Sequence, residues 1–244
     1  MSKAISNPAL AGIDEHSSVS ATFDIEPLHA GYGNTLGNSL RRVLLSSIRG
    51  GAIVAFRIEG ATHEFTTVAG VKEDVVDIML NLKNVRVKVH TDEPIELRLE
   101  KKGAGPITAA DIKTSADVEV INPTQVIATI DDPKKSIVMD LVVESGRGYR
   151  TIEESSAARL HSDMIALDAV FSPVLRVRYK VDPTRVGQET NLDKLRLTID
   201  TDGSMSPREA FEEAAAILVN QYTALAGSTT CLLYTSDAAD EEDS

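Results

Sequence analysis

The chain has 244 residues, 42% hydrophobic and 25% charged, a globular composition long enough for one large domain or two small ones. Its 25 basic and 37 acidic residues give a net charge of −12, but eight of the acids follow Arg208 and no base does, so the body up to that point is close to neutral at −4. That balance excludes a protein that wraps nucleic-acid backbone, no apolar run reaches the ~20 residues of a membrane span, and the single cysteine, Cys231, excludes a disulfide framework or a multi-cysteine metal site.

The first residues, Met1-Ser-Lys-Ala-Ile-Ser, lack the basic-then-apolar pattern of a secretory signal, which predicts a cytoplasmic protein. Period-two alternation predicts a first strand over residues 18–26. Gly31-Tyr-Gly-Asn-Thr-Leu-Gly37 follows and opens a helix predicted over 34–47, with Leu36, Leu40, Val43, Leu44 and Ser47 on one stripe at 100° per residue. Leu45 falls outside that stripe, on the side of Asn38, Arg41 and Arg42. A leucine between arginines has the composition of a protein–protein hot spot. Gly37 inside the helix costs about 1 kcal/mol relative to alanine, which predicts close approach of another backbone.

A strand over 51–59 leads to a helix over 71–83, and strands follow over 85–90, 94–101, 136–144, 173–181 and 195–201. Ser206-Pro-Arg-Glu209 has the form of a capping box with proline at the first helical position. It opens a helix over 206–225 whose Ala210, Phe211, Ala214, Ile217, Leu218, Tyr222 and Leu225 share a face. As the last periodic element, this helix has few later elements to cover it, so its face reads either as core or as a helix–helix dimer seam. Helices near both ends with mainly strands between predict an α+β fold. After Ala226 the periodicity stops. Cys231-Leu-Leu-Tyr-Thr-Ser-Asp-Ala-Ala-Asp-Glu241 resembles the translation of a sequencing-library adapter, so residues 227–244 are expected to be a non-native tail.

Catalytic patterns are sparse. Gly31–Gly37 invites a dinucleotide-binding, NAD-type oxidoreductase reading with Glu59 as the ribose acid, but its spacing is G-x-G-x-x-x-G and no βαβ series follows. His16, His29, His63, His90 and His161 show no i, i+4 pairing, and no metal site is expected. There is no Gly-x-Ser-x-Gly elbow and no Walker A loop. The acid pairs Asp131-Asp132 and Glu153-Glu154 read as solvated turns.

A longer match is specific. Glu26-Pro-Leu-His-Ala-Gly-Tyr-Gly-Asn-Thr-Leu-Gly-Asn-Ser-Leu-Arg-Arg-Val-Leu-Leu-Ser-Ser47 closely resembles the signature segment of the alpha-subunit family of bacterial DNA-directed RNA polymerase. His63-Glu-Phe, Gly70-Val-Lys-Glu-Asp, Leu80-Asn-Leu-Lys83, Gly105-Pro-Ile-Thr-Ala-Ala-Asp111, Gly146-Arg-Gly-Tyr149, Leu167-Asp-Ala-Val-Phe-Ser-Pro-Val174, Thr190-Asn-Leu-Asp-Lys-Leu195 and Ser206-Pro-Arg-Glu-Ala210 follow in family order, so the resemblance covers residues 14–226.

The resemblance implies a non-catalytic assembly platform that homodimerises and then docks the beta and beta-prime subunits, with catalysis, magnesium and zinc left to those partners and no cofactor of its own. It implies a discontinuous dimerisation subdomain, 1–48 plus 173–226, of helices on an antiparallel sheet, with a mainly β subdomain, 49–172, inserted. By the same resemblance Arg41, Arg42 and Leu45 dock beta, while Lys83, Asp168 and Arg185 contact the large subunits more loosely. Leu36, Gly37, Leu40, Leu44, Phe211, Ala214, Ile217, Leu218 and Tyr222 form the dimer seam. The family's linker and DNA-binding C-terminal domain have no counterpart here, so no direct DNA binding is expected. Gly187 and Glu189 depart from the family pattern beside Arg185.

Overall fold

A computed structural model describes residues 8–61, 63–156, 163–187 and 189–226. The expected tail at 227–244, with Cys231, and His161 lie outside the described residues. The chain opens with β1 (Ala9–Ser17), β2 (Ser20–His29) and α1 (Tyr32–Ser46). A long middle stretch follows: β3 (Arg49–Ile58), α2 (Val75–Leu82), β4 (Val87–Val89), β5 (Ile95–Lys102), β6 (Gly105–Thr108), β7 (Ile112–Lys113), β8 (Val118–Val120), β9 (Val126–Ile130), β10 (Ser136–Arg147) and β11 (Tyr149–Arg150). After α3 (Ile152–Ser156), β12 (Ile165–Ala166) and β13 (Ala169–Val170), the chain returns through β14 (Val174–Val186) and β15 (Glu189–Thr201) to α4 (Pro207–Ala226). This is the α+β class that the sequence predicts.

The ends of the chain build one antiparallel sheet in the order β1-β2-β15-β14. Alternation sets its two faces. Ala21, Phe23 and Ile25 of β2 and Leu195, Leu197 and Ile199 of β15 are buried on one side. On the other side Asp24 pairs with Arg196 at 3.2 Å and Lys194 at 2.9 Å, and Lys194 also reaches Glu26 at 3.3 Å. The apolar face is roofed by α1 and α4, which bury Leu40, Leu44, Ala210 and Ala214 with it. The Phe211 ring stacks on Phe23 at 4.7 Å, anchoring α4 to β2.

The middle of the chain builds a second sheet along the path β7-β5-β10-β3-β4-β8, with β12 paired to β3. One face carries a core of Phe56, Leu99, Met139 and Leu141, closed by Val75, Ile78 and Leu82 of α2. Two short ribbons, β6–β9 and β11–β13, complete the unit. No described helix is long and apolar enough to cross a membrane.

Where element bounds differ from expectation, the reason is local chemistry. The helix expected from residue 71 starts at Val75, because the Asp74 carboxylate accepts from the Asp77 amide at 2.7 Å and caps it. β15 begins at Glu189 rather than 195, since the outer end of the β14–β15 hairpin is polar and exposed and carries no apolar alternation. β1 escapes the sequence pattern altogether. Of its nine residues only Ile13 is even half-buried, so backbone pairing to β2, not burial, holds it.

Candidate docking surfaces

The loop before α1 shows what the glycine motif is for. Gly31 takes the left-handed conformation, φ 87°, and its amide donates to the Asp193 carboxylate of β15 at 2.8 Å. The Gly33 amide donates to the same oxygen at 3.1 Å. The anion at this helix N-terminus is therefore a side chain of the protein itself, satisfying two of the free amides and complementing the helix dipole. That carboxylate stands where a dinucleotide phosphate would bind, against the oxidoreductase reading. Within the helix, a Cβ on Gly37 would stand 2.7 Å from the Tyr179 ring and 3.0 Å from Leu195. The close approach expected at Gly37 is real, but two side chains of the sheet make it, not a backbone.

With that face pressed on the sheet, α1 turns Arg41 and Arg42 outward, both exposed. Leu45 is half-buried and packs against the helix–sheet core, so it borders the arginine ridge instead of crowning it. The nine expected seam residues divide. Leu40, Leu44 and Ala214 are spent inside the chain's own core, and Gly37 is buried under Tyr179. Leu36, Phe211, Ile217 and Leu218 are half-buried against that core, and Tyr222 is 57% exposed. Leu225, on the same predicted face, is 82% exposed, and Val219, which the sequence pattern does not place on it, is 62% exposed.

Lys83 and Asp168, 85 positions apart in the sequence, meet as an ion pair. Lys83 ends α2 and Asp168 sits between β12 and β13. Burial opposes ionisation of Asp168, but the Lys83 hydrogen bond and charge outweigh it and hold the carboxyl below its ordinary 3.8. Tyr149 Oη donates to the other carboxylate oxygen at 3.3 Å. The pair borders a cleft of about 220 Å³ with Arg86 and the exposed Val170. Arg185 is exposed near the end of β14, on the other sheet. Asp193 and Tyr149 had no functional signal in sequence beyond membership of matching segments, because their partners are distant in the chain or polar and unpatterned.

Residues 54–172 match the family described as the RNA polymerase Rpb3/RpoA insert domain. The chain is 50% identical over 203 residues to the DNA-directed RNA polymerase subunit alpha of Heliobacterium modesticaldum, covering 83% of this chain and 64% of that protein. It is 48% identical to the alpha subunits of Moorella thermoacetica, over 85% of this chain and 66% of that one, and of a Roseiflexus species, over 82% and 61%. The chain thus spans a little under two thirds of the relatives it matches.

Proposed function

The chain belongs to the alpha-subunit family of DNA-directed RNA polymerase, and from that premise we propose that it is the assembly platform of a transcribing enzyme in the cytoplasm. It homodimerises, and the dimer captures the beta and beta-prime subunits. It supplies no catalytic group, cofactor or metal ligand, and makes no DNA contact through these residues. The functional division is 1–48 plus 173–226 for dimerisation, with 49–172 inserted. The tail at 227–244 plays no part.

One observation carries the reading. The two helices that roof the four-stranded sheet leave two different surfaces unspent: an exposed arginine pair on α1 and an apolar strip of Val219, Tyr222 and Leu225 on α4. Exposed apolar strips mark association sites, and arginine beside an apolar border is hot-spot composition. The α4 strip suits self-association, together with the half-buried Leu36, Phe211, Ile217 and Leu218. The α1 ridge of Arg41, Arg42 and Leu45 suits beta, while Lys83 with Asp168, and Arg185, suit the large subunits on the remaining faces. Arg42→Ala tests the assignment: affinity for beta falls about 30-fold, equivalent to ~2 kcal/mol, while the dimer and its circular dichroism stay unchanged. Unaltered affinity removes the α1 ridge from the docking surface.

A further inference from the structure

Two stretches of chain join the two sheets, one between α1 and β3 and one between β13 and β14. The second lies directly on the first residues of β3. A Cβ on Gly50 would stand 1.9 Å from the Phe171 carbonyl oxygen and 3.2 Å from Pro173 Cδ, so only glycine lets the strands of the joint touch. The Phe171 side chain, 2% exposed, is seated beside a second glycine: a Cβ on Gly146 would be 3.0 Å from three of its ring carbons. The Arg150 guanidinium covers the ring at 4.9 Å and is held there by an ion pair with the buried Glu144. The backbone is tied as well. Phe171 N donates to Gly148 O at 2.9 Å, and Pro173 O accepts from Asp202 N at 2.9 Å, reaching the loop before α4.

We propose that Phe171 is a positioning residue, a pin that fixes the orientation of the α1 ridge relative to the Lys83–Asp168 face. The proposal rests on the docking reading above. Asp168 lies three residues before the pin, β13 pairs with β11 at Arg150, and a Cβ on Gly148 would stand 3.5 Å from Ser46 O at the end of α1. Both faces are therefore braced on the same few residues. A partner large enough to touch both meets them in one pose and loses little orientational freedom on binding. The ring also closes a small buried cluster with Ala52, Val54, Val142 and Met164, and the two glycines beside it have no side chains with which to fill its place, so truncation leaves a void at the joint.

The test reads the joint directly. In a Cys231→Ser background, spin labels at Ser18→Cys on the β1–β2 turn and Ala116→Cys on the inserted unit report one intraprotomer distance, in samples diluted with unlabelled chain. The unaltered joint gives a narrow single distribution. Phe171→Ala and Gly50→Ala at least double its width, Arg150→Ala widens it less, and Phe171→Leu restores most of the narrowness. Circular dichroism stays unchanged throughout. Should Phe171→Ala fail to fold, Gly50→Ala and Arg150→Ala decide the matter, and unchanged widths in both overturn the pin. Capture of beta separates the two ideas. Broad distributions with a tenfold weaker capture support both, whereas broad distributions with normal capture leave the pin standing and remove its role in docking.

Discussion

At Gly37, local preference and packing pull in opposite directions. Alanine there would favour the helix by about 1 kcal/mol, yet its methyl would meet Tyr179 at 2.7 Å and Leu195 at 3.0 Å. Overpacking of that kind costs about 1–3 kcal/mol, so Gly37→Ala lowers stability by up to about 2 kcal/mol in urea denaturation, and a gain would show that Tyr179 moves freely. The carboxylates supply a second residue-scale prediction. Asp24, Asp111, Asp168 and Asp200 are all held below their ordinary 3.8. For Asp200 the Ser20 hydroxyl is the largest cause, with Arg176 adding to it. For the other three burial opposes ionisation, and a lysine or arginine partner outweighs it. Each binds its proton more weakly folded than unfolded, so its contribution is present above about pH 4 and is lost as pH falls through the depressed folded value. The urea midpoint therefore drops as pH is lowered below about 4, and Lys83→Met flattens that slope by removing the cation from Asp168. Such partnerships were not legible in the sequence. Asp193 stands 162 positions from Gly31, and no local period relates a carboxylate to the amides it closes.

Elements were legible in proportion to what they bury. α1 and α4 gave themselves away by stripe and capping chemistry, and the capping box forms as written: Ser206 N donates to Glu209 at 2.9 Å while Glu209 N donates to Ser206 Oγ at 3.2 Å. Ser206→Ala costs about 1 kcal/mol of stability, read as a lower urea midpoint with the dimer intact, and an unchanged midpoint would mean that Pro207 and packing alone start the helix. Burial divides α4 along its length. Ala210 and Ala214 are core, whereas Val219, Tyr222 and Leu225 face outward. Tyr222→Asp leaves the single chain folded, because that ring is 57% exposed among the described residues, and, if the proposed seam runs along this strip, converts the dimer to monomer by placing a charge in it. A dimer that survives the change would move the seam elsewhere. Strands such as β1, which bury almost nothing, and ribbons as short as β11–β13 stay invisible to periodicity because tertiary pairing alone defines them.

At the scale of the whole molecule, two sheets with separate cores meet at a crowded contact around Phe171, and the surfaces left over are the ones a multi-subunit assembly can use. The near-neutral body fits a protein that meets other proteins instead of nucleic-acid backbone. The most direct measurement is coexpression of this chain with the beta subunit, followed by analytical ultracentrifugation of the purified material. The account predicts a dimer when the chain is alone and a stable complex of two copies per beta when it is not. A monomer that sediments separately from beta would contradict it.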